Sequence, residues 1–505
     1  MIRLFALLSA FVGFSTAVVC AAKTEGASSP PAELRAAAQT FAITPKVGAP
    51  SAHTTTKQMF RAVYGDQKST VMMFDDGKMR ICFFTSPMAI NGGPVMSAAR
   101  EVIAKATGLP PEAIIINSSH NHSVPLLRVE GSDQSVKVPG EDQARALGTE
   151  YLDKLRLAAA GLAARLEPVK IEWGVAQEDR FTYNRRGRRP NGQMYFMREE
   201  DRQLMPADYT GLIDQDAAVV LLTGKKGPVG AIAFYTGHPV TAYKPENPIS
   251  FGEWPQVAGE ILSAHLGGVP VAFLQGCAGD INSKFLLTGT VEQSREFGGY
   301  LGESFIKAVA SRKPSQRTDL RLQRQTVDIP LAPYPDQASL ERSIAELDEF
   351  IRRCRAGDDD ALYVVGLNYT RELSPPYRAI QMEGVRKWYT NALEIQKAGK
   401  TDEVPKALPL ETVVARIGDI GFVGMPFESF VRTGLKIKHN TPLPFVLTCG
   451  YTDGGNGYIP DATACNDLDY MGGNYRYRIG RPPYRAPGAD AMADAAIVIL
   501  KDFAR

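Results

Sequence analysis

Apolar and polar positions along this chain fall into two kinds of run. Short apolar stretches bounded by Gly, Pro, Asn or Asp predict buried strands. They recur at 71–74, 79–85, 113–116, 169–176, 181–184, 217–223, 229–235, 269–274, 410–417, 420–423 and 445–449. A further strand is expected over 41–48, running into a turn, and a shorter one over 60–63. The turn signal Asp75-Asp76-Gly77 joins 71–74 to 79–85 as a hairpin. Apolar positions at helical spacing predict helices over 95–107, 148–166, 251–266, 291–311 and 489–503, the first stopped by Gly108 with Pro110 beyond it. Two charged, periodic stretches at 337–355 and 379–396 predict a helical hairpin inserted over about 336–400, either a cover over the main fold or a structural element beside it. No internal repeat is visible. This interleaving predicts a mixed α/β (α+β) fold with strand ends converging on a site.

Length and composition narrow the class. The 505 residues, 44% hydrophobic and 22% charged, with mean hydropathy −0.16, describe a soluble globular protein. Fifty-seven basic against 55 acidic residues leave a net charge of +2, which gives no electrostatic case for nucleic acid. Residues 1–22 carry Arg3, an apolar run over 4–19 and the small residues Cys20-Ala21-Ala22, the pattern of a cleaved signal peptide. A lipid anchor at Cys20 is the alternative, disfavoured by Val18-Val19 before it. The protein is therefore expected to be secreted or periplasmic, with a mobile leader over 23–40 and a single domain over 41–505. Of the five remaining cysteines, Cys449 and Cys465 bracket a Gly-rich loop and are candidates to bridge it.

The chemistry-bearing residues sit at predicted strand ends. Strand 113–116 leads into Ser118-Ser119-His120-Asn121-His122-Ser123, and alternation along an extended chain would point His120 and His122 the same way. Such a pair suits a metal or a reacting carbonyl, and equally two imidazoles bonded to loop carbonyls. Strand 181–184 ends at Arg185, within a basic cluster that is otherwise a solvated loop. Strand 229–235 ends in Gly237-His238-Pro239. Strand 269–274 runs into a small-residue loop containing Gly279, Asp280 and Asn282, where close backbone approach is expected. Glu428 follows 420–423 and is either a helix N-terminal carboxylate or a buried ligand. The loop after 445–449 holds Tyr458, with Tyr470 beyond.

Five motifs in this order, His120-Asn121-His122-Ser123, Asn184-Arg185, Gly237-His238-Pro239, Gly279-Asp280-Ile281-Asn282, and Glu428 followed by Gly457-Tyr458, resemble the neutral, non-lysosomal ceramidase superfamily over most of 41–496. The resemblance implies a ceramidase-like catalytic domain with one Zn2+ held by His120, His238, Glu428 and Tyr458. It assigns His122 to the reacting oxygen or a proton, Arg185 to a substrate oxygen, Asp280 to support behind the site, and Tyr470 to the developing oxyanion. Zinc hydrolysis needs an open ligand position, so Tyr458 must be a weak fourth ligand or the ion must expand its shell.

Two departures bear on the substrate. The family carries a serine where this chain has Asn282, followed by Ser283, and an amide side chain orients water or substrate but is no nucleophile. The C-terminal immunoglobulin-like domain of similar ceramidases is not expected here. The readings that follow are a zinc amidohydrolase acting on an N-acyl bond of a lipid or small molecule, with peripheral membrane contact, a zinc esterase or deacylase on a carbohydrate or small ester, and a non-catalytic binding protein on the same scaffold.

Overall fold

A computed structural model describes residues 33–53, 58–88, 93–133, 138–455 and 457–505. The expected signal peptide and Cys20 lie outside the described residues.

Three sheets share one arrangement: an antiparallel hairpin, a helix, and a third strand returning parallel to the hairpin's second. In the first sheet, β1 (Arg35–Ile43) pairs antiparallel with β2 (Gln67–Asp75), which forms a hairpin with β3 (Arg80–Ser86). Helix α1 (Pro94–Thr107) then leads to β4 (Ile114–Ser118), parallel to β3. In the second, β5 (Lys170–Gln177) flanks the hairpin β7 (Asp216–Gly224) and β8 (Gly227–Tyr235), and α3 (Glu253–His265) leads to β9 (Val271–Gln275), parallel to β8. In the third, β11 (Leu320–Pro330) flanks the hairpin β12 (Ala407–Ile417) and β13 (Ile420–Gly424), and α7 (Val431–His439) leads to β15 (Phe445–Cys449), parallel to β13. The recurrence lives in topology and has no echo in residue identity, so the sequence shows no repeat.

Period-two patterning explains the packing. Met72, Phe74, Ile81, Phe83 and Ile115 of the first sheet face a core shared with Val220, Phe234 and Leu274 of the second and Val413, Phe422 and Leu447 of the third. The alternate residues Val71, Met73, Phe84, Ile114 and Ile116 face outward under α1 and α2 (Glu141–Ala160). Helices α3 and α4 (Val291–Ala310) cover the second sheet in the same way. The third is covered by α5 (Gln337–Arg355), α6 (Pro375–Lys397) and α8 (Asp490–Phe503). Where both faces are buried, as in β2, β4 and β13, the strands read as continuous apolar runs.

The parallel strands of the three sheets meet at their C-terminal ends. Asn117 pairs with Thr452 and Gly276 with Cys449 as isolated bridges, Ser118 N donates to Tyr451 O at 3.1 Å, and Gln275 N donates to Asn117 Oδ1 at 2.9 Å. The chemistry-bearing residues emerge from this knot.

Several expectations change. The strand expected over 41–48 begins at Arg35, so the end of the expected leader over 23–40 is a sheet strand that pairs along its length with β2. The helix expected from 148 starts at Glu141 and ends at Ala160, before Gly161. Cys449 and Cys465 are not bridged: Cys449 is fixed opposite Gly276, while Cys465 Sγ donates to Asp461 O at 3.3 Å. No helix among the described residues is long and apolar enough to cross a membrane.

Candidate metal centre and active site

Each site residue is delivered by a named piece of backbone. His238 follows β8, and its main chain is held by the 281–283 strand: His238 N donates to Ile281 O at 2.9 Å and Ser283 N donates to His238 O at 3.2 Å. That strand, β10 (Ile281–Ser283), pairs antiparallel with β6 (Thr182–Asn184), and Arg185 N donates to Asp280 O at 2.8 Å, which brings Arg185 beside His238. Glu428 and Tyr458 are direct partners in a short parallel ladder, β14 (Glu428–Ser429) with β16 (Tyr458–Ile459). Gly279 N donates to Ser429 O at 2.9 Å, and a Cβ on Gly279 would lie 2.2 Å from Glu428 O, so the close approach requires glycine there.

His120 and His122 reach the site by a route other than strand alternation. The strand stops at Ser118 and His120 adopts a left-handed φ of 59°, sparsely populated for a residue with a Cβ. His120 N donates to Ser118 Oγ at 3.1 Å and Ser123 N to Asn121 Oδ1 at 2.8 Å, so two side-chain-capped turns hold the loop. Both rings face the centre as expected, carried there by a turn.

The assembled donors form an acceptor-rich nest. The ligand atoms of His120, His122 and His238 lie within 4.8 Å of one another. His120 Nε2 is 3.1 Å from His122 Nε2 and 3.4 Å from Glu428 Oε2, and His238 Nε2 is 2.9 Å from the same carboxylate oxygen. His238 Nδ1 faces two carbonyls, Ala278 O at 2.7 Å and Ile281 O at 3.0 Å, so it carries the hydrogen and Nε2 presents a lone pair. Burial first, then the Arg185 charge, hold His238 well below the usual imidazole range. A lone pair and a carboxylate oxygen at 2.9 Å repel each other unless a proton or a metal cation lies between them. Ligands at about 2.0–2.1 Å on a tetrahedral zinc lie about 3.3 Å apart, close to the spacings seen here. The donor set therefore fits a divalent cation.

Arg185 is fully enclosed beside this nest. Its Nη1 donates to Asn282 Oδ1 at 2.9 Å, and its Nη2 to Gly279 O at 2.7 Å and Tyr458 Oη at 2.9 Å, with His238 Nε2 at 3.2 Å. Neighbouring Tyr458 and Glu428 outweigh the burial that lowers its pKa and keep it cationic. The fork expected to grip a substrate oxygen is thus largely spent on protein acceptors.

Two cavities meet at His122. One, of about 150 Å3, is apolar, with Phe196, Val240, Leu286, Leu287 and Leu373 in its walls. The other, of about 480 Å3, is polar and takes in His53, His120, Glu428, Asn474 and Arg478. His122, Tyr458 and Tyr470 line both and mark the junction. Burial holds His122 well below its ordinary pKa, with His53 contributing next, so it is neutral and able to accept a proton; its Nδ1 is buried with no hydrogen-bond partner. Burial pushes the Tyr470 hydroxyl up to about 12, so it stays a donor.

Asp280 and Asn282 line neither cavity. Asp280 accepts from Val431 N at 2.7 Å and from Asn184 Nδ2 at 2.9 Å, tying the Arg185 arm to the Glu428 arm. Asn282 is fully buried and turned toward Arg185. Four aromatic or basic residues were not singled out in the sequence. His53 stacks on His122 at 4.2 Å, Tyr451 stacks on His120 at 4.7 Å, Tyr243 meets His122 edge-on at 4.8 Å, and Arg478 lies on the polar cavity. His53 had one available signal, as one of only six histidines. The helical insert also reaches the site, through Leu367, Tyr369 and Tyr377 in the apolar wall.

Neither a protein-family model nor a curated protein matches the sequence. Among solved structures, neutral ceramidase from Pseudomonas aeruginosa superposes over 94% of this chain and 74% of its own, with a TM-score of 0.61 and 16% identity. A ceramidase complexed with C2 superposes over 93% and 75%, again with a TM-score of 0.61 and 16% identity. At that identity the likeness is one of architecture: this mixed α/β chain has the neutral-ceramidase fold.

Proposed function

We propose that this protein is a secreted zinc-dependent hydrolase that cleaves an N-acyl amide, with ceramide and related lipids as the first substrate class. The observation that carries the reading is the opposed pair His238 Nε2 and Glu428 Oε2 at 2.9 Å, two acceptors facing each other beside the polar cavity that Glu428 lines. His120, His238 and Glu428 would hold the ion, with the Tyr458 oxygen as a fourth, weaker ligand. A divalent cation bound there supplies the Lewis acidity that hydrolysis of an unactivated amide needs at neutral pH.

The remaining steps belong to side chains. His122, neutral at pH 7 and at the junction, takes the proton of the attacking water and returns it to the leaving amine. Tyr470 donates a hydrogen bond to the carbonyl oxygen as charge develops there. Arg185, fixed by Asn282 and Gly279, contributes a permanent positive charge from the wall of the first cavity. The apolar cavity suits the acyl chain and the polar one the amine side. No nucleophilic side chain is needed, which accommodates Asn282.

Hydrolysis of a short N-acylsphingosine, measured before chelation, after chelation and after zinc is restored, tests the proposal. Turnover that disappears and returns with zinc supports it. Turnover indifferent to chelation contradicts the metal-dependent reading, and turnover of matched esters alone moves the assignment to an esterase.

A further inference from the structure

The polar cavity carries a charge that hydrolysis of a neutral amide does not use. Its described lining includes Arg478, and Glu428 is the lone carboxylate among those residues. Once Glu428 is neutralised by a divalent cation, the cavity is left with the Arg478 guanidinium, and with Arg185 behind its wall. Other arginines nearby have assigned partners: Arg186 is paired with Asp467 and Asp469, and Arg476 donates to Val365 O at 3.0 Å and Leu468 O at 2.6 Å. Arg478 is an exposed side chain at the polar cavity and forms no ion pair with any described residue.

Arg478 is also held in place. It ends a short 3-10 turn, Asn474–Tyr477, with its N–H donating to Tyr475 O at 3.0 Å. Asn474 Oδ1 accepts from Tyr458 N at 3.2 Å, and the buried Arg476 anchors the turn from below. The guanidinium is therefore presented from a rigid platform tied to the ligand-bearing strand, on the side where the leaving amine would sit.

We infer that the polar cavity receives an anionic group on the amine side of the substrate, held by Arg478, so that among N-acyl amides those whose amine carries a carboxylate or a phosphate are cleaved in preference to neutral ones. The inference rests on the hydrolase reading above and specifies its substrate class. Hydrolysis breaks the C–N bond, places the hydroxyl of water on the acyl carbon and its proton on the nitrogen, and leaves a fatty acid and an anionic amine.

The test compares three dodecanoyl amides of matched length, those of glycine, of ethanolamine phosphate and of neutral ethanolamine, with wild type, Arg478→Ala and Arg478→Lys. A charge-assisted contact predicts that kcat/KM favours an anionic amide over the neutral one by roughly ten- to hundredfold, that Arg478→Ala abolishes this ratio, and that Arg478→Lys keeps part of it. A preference for glycine over the phosphate, or the reverse, identifies which anion the cavity fits. In parallel, calorimetric binding of unhydrolysable dodecylsulfonyl-glycine and dodecylsulfonyl-ethanolamine reads the same ratio without turnover. If wild type hydrolyses none of the amides but binds the anionic sulfonamide better, through Arg478, the hydrolase reading fails and the anion site stands. Equal kcat/KM and equal binding for charged and neutral compounds, or a ratio unmoved in Arg478→Ala, overturns the inference.

Discussion

Replacing Asn282 separates a positioning role from a nucleophilic one. Its Oδ1 accepts from Arg185 Nη1 at 2.9 Å, in a fully buried setting. Removing the acceptor of a buried charged donor costs about 1.5–3 kcal/mol, so Asn282→Ala should lower the unfolding free energy by that amount. The freed guanidinium also loses its orientation toward Tyr458 and His238, and kcat/KM should fall roughly ten- to hundredfold. Asn282→Ser restores the residue that ceramidases carry, yet a hydroxyl on Cβ reaches about 1 Å less far than the amide oxygen. It should behave as a partial loss and form no acyl-enzyme, because position 282 lines neither cavity. Denaturant melts, steady-state kinetics and intact-protein mass after substrate addition read the three quantities. Wild-type stability and activity in Asn282→Ala, or an acyl adduct in Asn282→Ser, would refute the argument.

His122→Ala should keep bound zinc while losing about two to four orders of magnitude in kcat, since the residue acts on a proton; loss of zinc in this variant would make His122 a ligand instead. Glu253 offers a pH test away from the site: burial raises its carboxyl from an ordinary 4.5 to about 7, although Ala242 N and Ser294 Oγ donate to it. The folded state keeps a proton that the unfolded chain releases, so this stability is present at low pH and is lost as pH rises through 7. Between pH 5.5 and 8.5 the loss should be on the order of 2 kcal/mol, and Glu253→Gln should flatten that slope; an unchanged slope in the variant contradicts the assignment.

What the sequence revealed and what it hid follow from how local each signal is. The helix over Gln337–Arg355 and the strand over Phe445–Cys449 match their predicted bounds because charged periodicity and a turn-bounded apolar run are properties of the segment itself. Strand β11 was missed: charged Arg321 and Arg324 interrupt it, only Leu320 and Ile329 are buried, and its register comes from β12 along its whole length. The motif residues His120, His122, Arg185, His238, Glu428, Tyr458 and Tyr470 do converge, each standing at a strand end or in the loop beyond it. Their order of contact was not legible, because Arg185 meets Asn282 through a sheet that pairs residues about a hundred apart. Tyr451 and Arg478 were hidden for the same reason, being carried in by loops whose course depends on other parts of the chain.

Zinc content of the purified protein tests the central claim most directly, with wild type compared with His120→Ala and Glu428→Ala under identical conditions. About one zinc per folded wild-type chain, lost or sharply reduced in both variants, is the predicted result, accompanied by a fall in thermal stability on chelation. Folded wild-type protein that binds no zinc, or variants that retain it in full, would contradict the assignment of this nest as a metal centre.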